Sequence, residues 1–121
     1  MDNNNLKEKS YLFAIRIVKA SKFLSTEKRE FVLSKQLLRC GTSVGANIAE
    51  ANGAISKSDF SAKISIAYKE CLETKYWLTL LKDTSYIDQN TFQSIHKDAD
   101  ELGKIMFAIL KTTRIKTKKQ I

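Results

Sequence analysis

Apolar residues recur along this chain at three- and four-residue steps, in four separate runs. Leu6, Ser10, Phe13, Ile17, Ala20 and Leu24 make the first. Leu37, Cys40, Val44, Ile48, Ala51 and, one step further, Ile55 make the second. The third passes through Phe60, Ile64, Ala67, Cys71, Thr74, Leu78 and Leu81, and the fourth through Phe92, Ile95, Ala99, Leu102, Met106 and Ile109. This spacing is the seam of a helix buried along one face. It predicts helices over Leu6 to Leu24, about Glu27 to Asn52, about Lys57 to Lys82 and about Gln89 to Thr113. Tyr11, Leu12, Ile15 and Val18 lie off the first seam, and Ile66, Tyr76, Trp77 and Leu80 lie off the third. A helix apolar over so much of its circumference needs a second covered face, which in a small bundle points to a subunit interface.

The links between the runs carry helix-ending and helix-starting chemistry. Ser25 or Thr26 suits the cap of the second helix, Gly53 its end, Ser56 or Ser58 the start of the third, and Asp88 the start of the fourth. Short links force neighbouring helices to run antiparallel. The expected fold is therefore all-α, an antiparallel up-down-up-down four-helix bundle. Its organisation is one domain over residues 1–121 with a basic, mobile C-terminal tail from about residue 114.

Gly41, Gly45, Ala49 and Gly53 form a row of small residues beside the second seam. Glycine costs a helix about 1 kcal/mol relative to alanine. Two glycines inside one helix imply a return, namely close approach of another helix. The alternative is a break at the glycines, with Thr42 or Ser43 capping the second half.

Composition narrows the function more than the fold. The chain has 121 residues and no proline, which long uninterrupted helices do not need. No apolar run approaches the roughly 20 residues of a membrane span, and the start lacks a signal-peptide pattern. A cytoplasmic location without membrane contact is expected. Cys40 and Cys71 sit on seams and read as buried free thiols. The net charge of +8 is uneven. Up to Gly103 there are 15 basic and 13 acidic residues, a balance of +2, whereas from Lys104 onward six basic residues meet no acidic one. A smaller excess lies on the first helix, where Lys7, Lys9, Arg16, Lys19 and Lys22 face only Glu8.

At this point the residues resemble a known family. Ser10-Tyr11, Phe13-Ala14, Leu33 to Ala51, Ser56 to Phe60, Ile66 to Glu70 and Glu73 to Leu78 are similar to the bacterial four-helix bundle proteins of the 23S rRNA intervening-sequence type, also called S23-like. The family's central motif, R-S-G-T-S-I-G-A-N-I-x-E-A, is matched from Arg39 to Ala51, with Cys40 for serine and Val44 for isoleucine. The resemblance implies a left-handed antiparallel bundle that assembles into a ring-like homopentamer. It establishes no biochemical activity. The fold also resembles the accessory variability proteins of diversity-generating retroelements, which work with a reverse transcriptase and bind nucleic acid through a basic surface.

Catalytic chemistry is not visible. A di-iron bundle needs inward carboxylates with Glu-x-x-His pairs, but His96 is the one histidine and no glutamate stands three residues before it. It reads as a partly exposed surface residue. Gly41 to Gly45 lacks the Gly-Lys-Ser/Thr of a phosphate loop, and Ser43 has no base near it in sequence. No catalytic residue, metal site or cofactor is assigned, and an enzyme is not expected. Asn47 and Glu50 are polar positions in the small-residue stretch, read either as contacts that set helix or subunit register or as a solvated edge.

Phosphate binding needs clustered Lys and Arg. Arg16, Lys19, Lys22, Lys111, Arg114, Lys116, Lys118 and Lys119 are the candidate phosphate contacts. Tyr11, Leu12, Ile15, Asn47, Glu50, Tyr76 and Trp77 are the candidate oligomer interface. Tyr68, Tyr76 and Trp77 are also candidates for stacking on bases, against the simpler reading that they fill an interface. The expected function is a non-catalytic, homo-oligomeric accessory protein that binds RNA or DNA. The alternative is a structural or adaptor ring that binds a protein partner, a reverse transcriptase or another, with no nucleic-acid role.

Overall fold

A computed structural model describes residues 3–120, with side chains from residue 5 to residue 113. Four helices account for nearly all of the described chain: α1 (Asn3–Thr26), α2 (Leu33–Asn52), α3 (Lys57–Asp83) and α4 (Gln89–Gln120). Each packs on the next, α4 returns to α1, and among the described residues no diagonal pair brings Cα atoms within 8 Å of each other. Cross-helix ion pairs run in opposite senses along α2–α3 and along α1–α4. Arg39 of α2 reaches Glu70 and Glu73 of α3 while Glu50 reaches back to Lys63. Lys9 of α1 pairs with Glu101 of α4, and Arg16 with Asp98. The architecture is thus an antiparallel up-down-up-down bundle, loosest along the α1–α4 side.

The core is built from the four seams. Phe13, Ile17, Leu37, Val44, Ile64 and Leu78 are fully enclosed, and α4 adds Ala99, Leu102 and Met106. Burying such side chains contributes about 1.5–3 kcal/mol each before the entropy of ordering is subtracted. Thr74 replaces an apolar residue in the α3 seam without leaving an unmet group. Its hydroxyl donates to the Glu70 carbonyl at 2.7 Å and lies 3.3 Å from Cys40 Sγ. Cys40 and Cys71 are buried free thiols.

α2 is continuous through Gly41 and Gly45. The small-residue row faces α1, and only its first half is used for close approach. A Cβ on Gly41 would meet the Ile17 side chain, and one on Gly45 would lie 3.2 Å from the Ser10 carbonyl oxygen. Thr42 donates its hydroxyl back to Leu38 at 2.7 Å, which suits a helix interior rather than a cap.

The links correct several expectations. α2 begins at Leu33, not near Glu27. Thr26 and Ser25 donate their hydroxyls to the Lys22 carbonyl and close α1 instead of opening α2. Arg29 then takes a left-handed conformation at φ 53°, which no helix continues through. The Glu30 carboxylate accepts the Ser34 N–H, so an acid three residues ahead of Leu33 meets one of the open donors of the first turn. Ile55 is not core: it is 94% exposed, because α2 ends at Asn52 and the seam does not extend into the link. Ser56 and Asp88 cap as their chemistry suggests, accepting the N–H of Asp59 at 3.0 Å and of Thr91 at 2.7 Å. Lastly, α4 runs on to Gln120 rather than stopping near Thr113. The seam fades there, but the stretch contains no proline or glycine and consists mainly of residues compatible with a helix.

Candidate nucleic-acid interface

The candidate phosphate contacts fall into two groups at opposite ends of the bundle. Arg16 lies level with Ser94 and Asp98 of the antiparallel α4. Lys111 is 13 residues further along α4 than Asp98, about 20 Å at 1.5 Å per residue. Lys19 and Lys22 lie beyond Arg16 in the other direction. Among the described residues no single basic patch of one chain unites them.

Within the first group the side chains differ. Arg16 is half-buried and engaged: Nη1 donates to Asp98 Oδ2 at 2.7 Å and to the Ser94 carbonyl at 3.2 Å, and Nη2 to Ser94 Oγ at 2.9 Å. Its first role is to hold α1 against α4, since a planar guanidinium satisfies several acceptors at once. Lys19 and Lys22 are exposed. The structure adds two cations that the sequence reading had not assigned. Lys28, from the link after α1, and Lys82, near the end of α3, line the same cleft as Arg16 and Lys19. Their distance along the chain gave no signal of this convergence.

In the second group Lys111 is exposed on α4. The side chains of Arg114, Lys116, Lys118 and Lys119 lie outside the described residues, although the α4 backbone carries their positions in helix. Lys104, Lys111 and Lys118 recur every seven residues along it, close to two full helical turns.

The candidate interface residues also divide. Tyr11 is 67% exposed and Leu12 54%, with Ile15 and Val18 each 37%. Tyr11, Ile15 and Val18 follow at four and three residues, so α1 presents an apolar stripe to solvent besides its core seam. A groove floored by Gly45, Ala46 and Ala49 runs beside Tyr11 and Ala14. Tyr76 is exposed and stands edge-on to Trp77, with ring centroids 5.1 Å apart. Trp77 is half-buried, its Nε1 donating to Glu73 Oε2 at 2.9 Å. Tyr68 is half-buried against Phe107. Asn47 bonds within its own helix, donating to the carbonyl and hydroxyl of Ser43. Glu50 reaches across to Lys63 at 3.2 Å, which ties α2 to α3.

His96 is half-buried beside the Phe92 ring, with Nδ1 3.9 Å from Asp100. Among the described residues no three His, Cys, Asp or Glu side chains converge as metal ligands. None of their helices is long and apolar enough to cross a membrane.

With this arrangement in view, comparison with known proteins is decisive for the family. The model of the 23S rRNA-intervening sequence protein family matches residues 2–108. The chain belongs to that family. A crystal structure at 1.70 Å of a protein of unknown function from the S23 ribosomal protein family of Bacteroides thetaiotaomicron is 51% identical, with a TM-score of 0.90. The match covers 92% of this chain and 99% of that one. No curated protein matches the chain. For this member of the intervening-sequence family, the matched region ends before Lys111, so most of the acid-free basic stretch lies C-terminal to it.

Proposed function

We propose that this intervening-sequence family member is a non-catalytic, cytoplasmic, self-associating protein that binds the backbone of RNA or DNA through basic surfaces. The observation that carries the reading is the continuation of α4 to Gln120 through a stretch with six cations and no carboxylate. Helical backbone fixes the spacing of charges, so less freedom is lost when phosphates are engaged. Self-association through Tyr11, Leu12 and Ile15 would repeat that surface. Tyr76, Trp77, Asn47 and Glu50 are assigned to the same assembly. A homopentamer would gather about thirty C-terminal cations and bind multivalently. Binding that neutralises phosphates releases counterions and weakens steeply with salt.

The exposed apolar stripe on α1 also favours a second reading, in which the assembled ring is an adaptor for another protein. One experiment separates them. Labelled RNA and duplex DNA are titrated at about 50 and about 200 mM salt with full-length protein and with protein ending at Thr112, after the assembled mass is measured by light scattering. Six or more phosphate contacts would cost roughly a thousandfold in affinity across that range. A steep slope that flattens on truncation supports nucleic-acid binding through α4. Weak binding by both forms at the lower salt rejects it in favour of the adaptor.

A further inference from the structure

At the end of the bundle away from the α4 C-terminus, a cleft of about 900 Å³ opens between α1, the link after it, and the α3–α4 link. Arg16, Lys19, Lys28 and Lys82 line it, and Asp88 is the one lining carboxylate. That carboxylate is committed to the α4 cap, its Oδ1 taking the Thr91 N–H at 2.7 Å. Arg16 is balanced by Asp98, and Lys82 lies 3.4 Å from Asp83. Lys19 and Lys28 have no carboxylate partner among the described residues. Four cations from three separate elements thus converge on one concave space, and two of them, Lys19 and Lys28, are not offset by a carboxylate. Such a cleft concentrates anions.

Its walls are not those of a simple phosphate site. Phe23, Tyr86 and Ile95 line the same cleft. Phe23 is 43% exposed, and Lys28 Nζ stands 5.9 Å over its ring. A cation thus lies over an aromatic ring that lines the same cleft. The volume is within the range of ligand pockets. An anion alone would leave the aromatic wall unused, and an apolar molecule alone would leave the cations unused.

We infer that this cleft binds a nucleotide unit, a phosphate joined to a base, with Lys19 and Lys28 on the phosphate and Phe23 against the base. Stacking on an aromatic ring tolerates any base, so the site selects nucleotides as a class. The unit could be a free nucleoside monophosphate or the phosphorylated end of a strand. The inference does not rest on the α4 reading, because the two regions lie at opposite ends of the molecule.

The test is titration of the full chain with adenosine 5′-monophosphate, with inorganic phosphate, and with a short oligonucleotide with and without a 5′-phosphate. Saturable binding of the monophosphate is expected, weakened about tenfold or more in K19A/K28A and separately in F23A. These side chains are exposed, so unchanged circular dichroism is expected for the variants, and inorganic phosphate should bind about tenfold more weakly. An oligonucleotide that competes only when phosphorylated assigns the site to strand ends, and one that fails to compete assigns it to free nucleotides. No saturation by about 5 mM, equal binding by folded variants, or phosphate matching the nucleotide would each overturn the inference. Loss of nucleotide binding in K19A/K28A with intact salt-dependent binding through α4, or the reverse on truncation, keeps the two readings separable.

Discussion

A Cβ atom on Gly41 would stand 2.7 Å from Cγ2 of Ile17 and 2.8 Å from Cγ1. Both carbons branch directly from the Cβ of a fully buried isoleucine, so neither is a flexible end that can swing aside. The glycine that weakens α2 locally is what lets α1 lie against it. Gly103 is the contrast, with Cys71 Sγ 3.9 Å from the same imagined atom, an ordinary contact.

Opposite outcomes follow for the two alanine variants. Gly103→Ala should stabilise by up to about 1 kcal/mol, the helix-propensity gain. Gly41→Ala gains the same amount but overpacks the α1–α2 contact at a cost of about 1–3 kcal/mol. Its expected net effect is destabilisation, with a melting temperature lower by several degrees. In the double variant G41A/I17A the cost should fall below the sum of the single changes, because the methyl enters space the isoleucine vacated. Urea unfolding of the unaltered protein, the three single variants (Gly41→Ala, Ile17→Ala and Gly103→Ala) and the double variant checks this. A stabilised Gly41→Ala would show that α1 is not held by that contact.

The α1 stripe makes a prediction about assembly. Ile15 is partly exposed and Tyr11 largely so, on the same side of the helix. A charge placed there is tolerated by a monomer and penalised at an apolar interface. Ile15→Glu and Tyr11→Glu should therefore lower the mass measured by light scattering while circular dichroism stays unchanged. An unaltered mass would remove α1 from the proposed interface.

The relation of these features to the sequence is uneven for physical reasons. The core was legible because burial repeats at the helical period, so Phe13, Ile17, Leu37 and Leu78 declare themselves within one or two turns. Ile55 shares that period and is exposed, since a pattern cannot sense that the helix carrying it has ended. The start of α2 was hidden because the open N–H of Ser34 in its first turn is met by Glu30, while Ser25 and Thr26 turn back to close α1. The site residues were legible as types but not as partners. Nothing in the run from Arg16 to Lys22 reveals that Asp98 lies 82 positions away at hydrogen-bond distance. The convergence of Lys19, Lys28 and Lys82 likewise depends on how two links fold back at one end of the bundle.

Both thiols should be silent in the folded protein. Burial pushes the Cys71 thiol up to about 11, with Lys75 opposing it, and burial likewise raises Cys40. Raised folded values favour the neutral thiol. The stability they contribute is fully present below the unfolded value and is lost as pH rises through the folded one. The thiolate is the reactive form. At about pH 8, iodoacetamide should label neither residue in native protein and both in denaturant, with native labelling limited by unfolding. Rapid labelling of folded protein would contradict the buried positions of both sulfurs.

Acid should loosen α4 first. Hydrogen bonding to Lys75 holds the Asp100 carboxyl below its usual range, and Lys9 does the same for Glu101. At Asp88 the main cause is the backbone N–H of Thr91. Depressed carboxylate values contribute stability that is present above the unfolded value, near 4, and is lost as pH falls through the folded values. All three groups serve α4: Asp88 caps it, Asp100 ties it to α3, and Glu101 ties it to α1 along the loosest side of the bundle. The urea midpoint should stay level from about pH 8 to about pH 5.5 and fall below about pH 4.5. Asp100→Asn should cost under about 1 kcal/mol at neutral pH, since solvent screens a partly exposed pair, and should flatten part of the acid slope. Hydrogen-exchange protection, taken relative to the intrinsic exchange rate at each pH, should fall along α4 before it falls along α2 as the solution is acidified. A uniform loss of protection across all four helices would mean that these bridges do not govern the acid response.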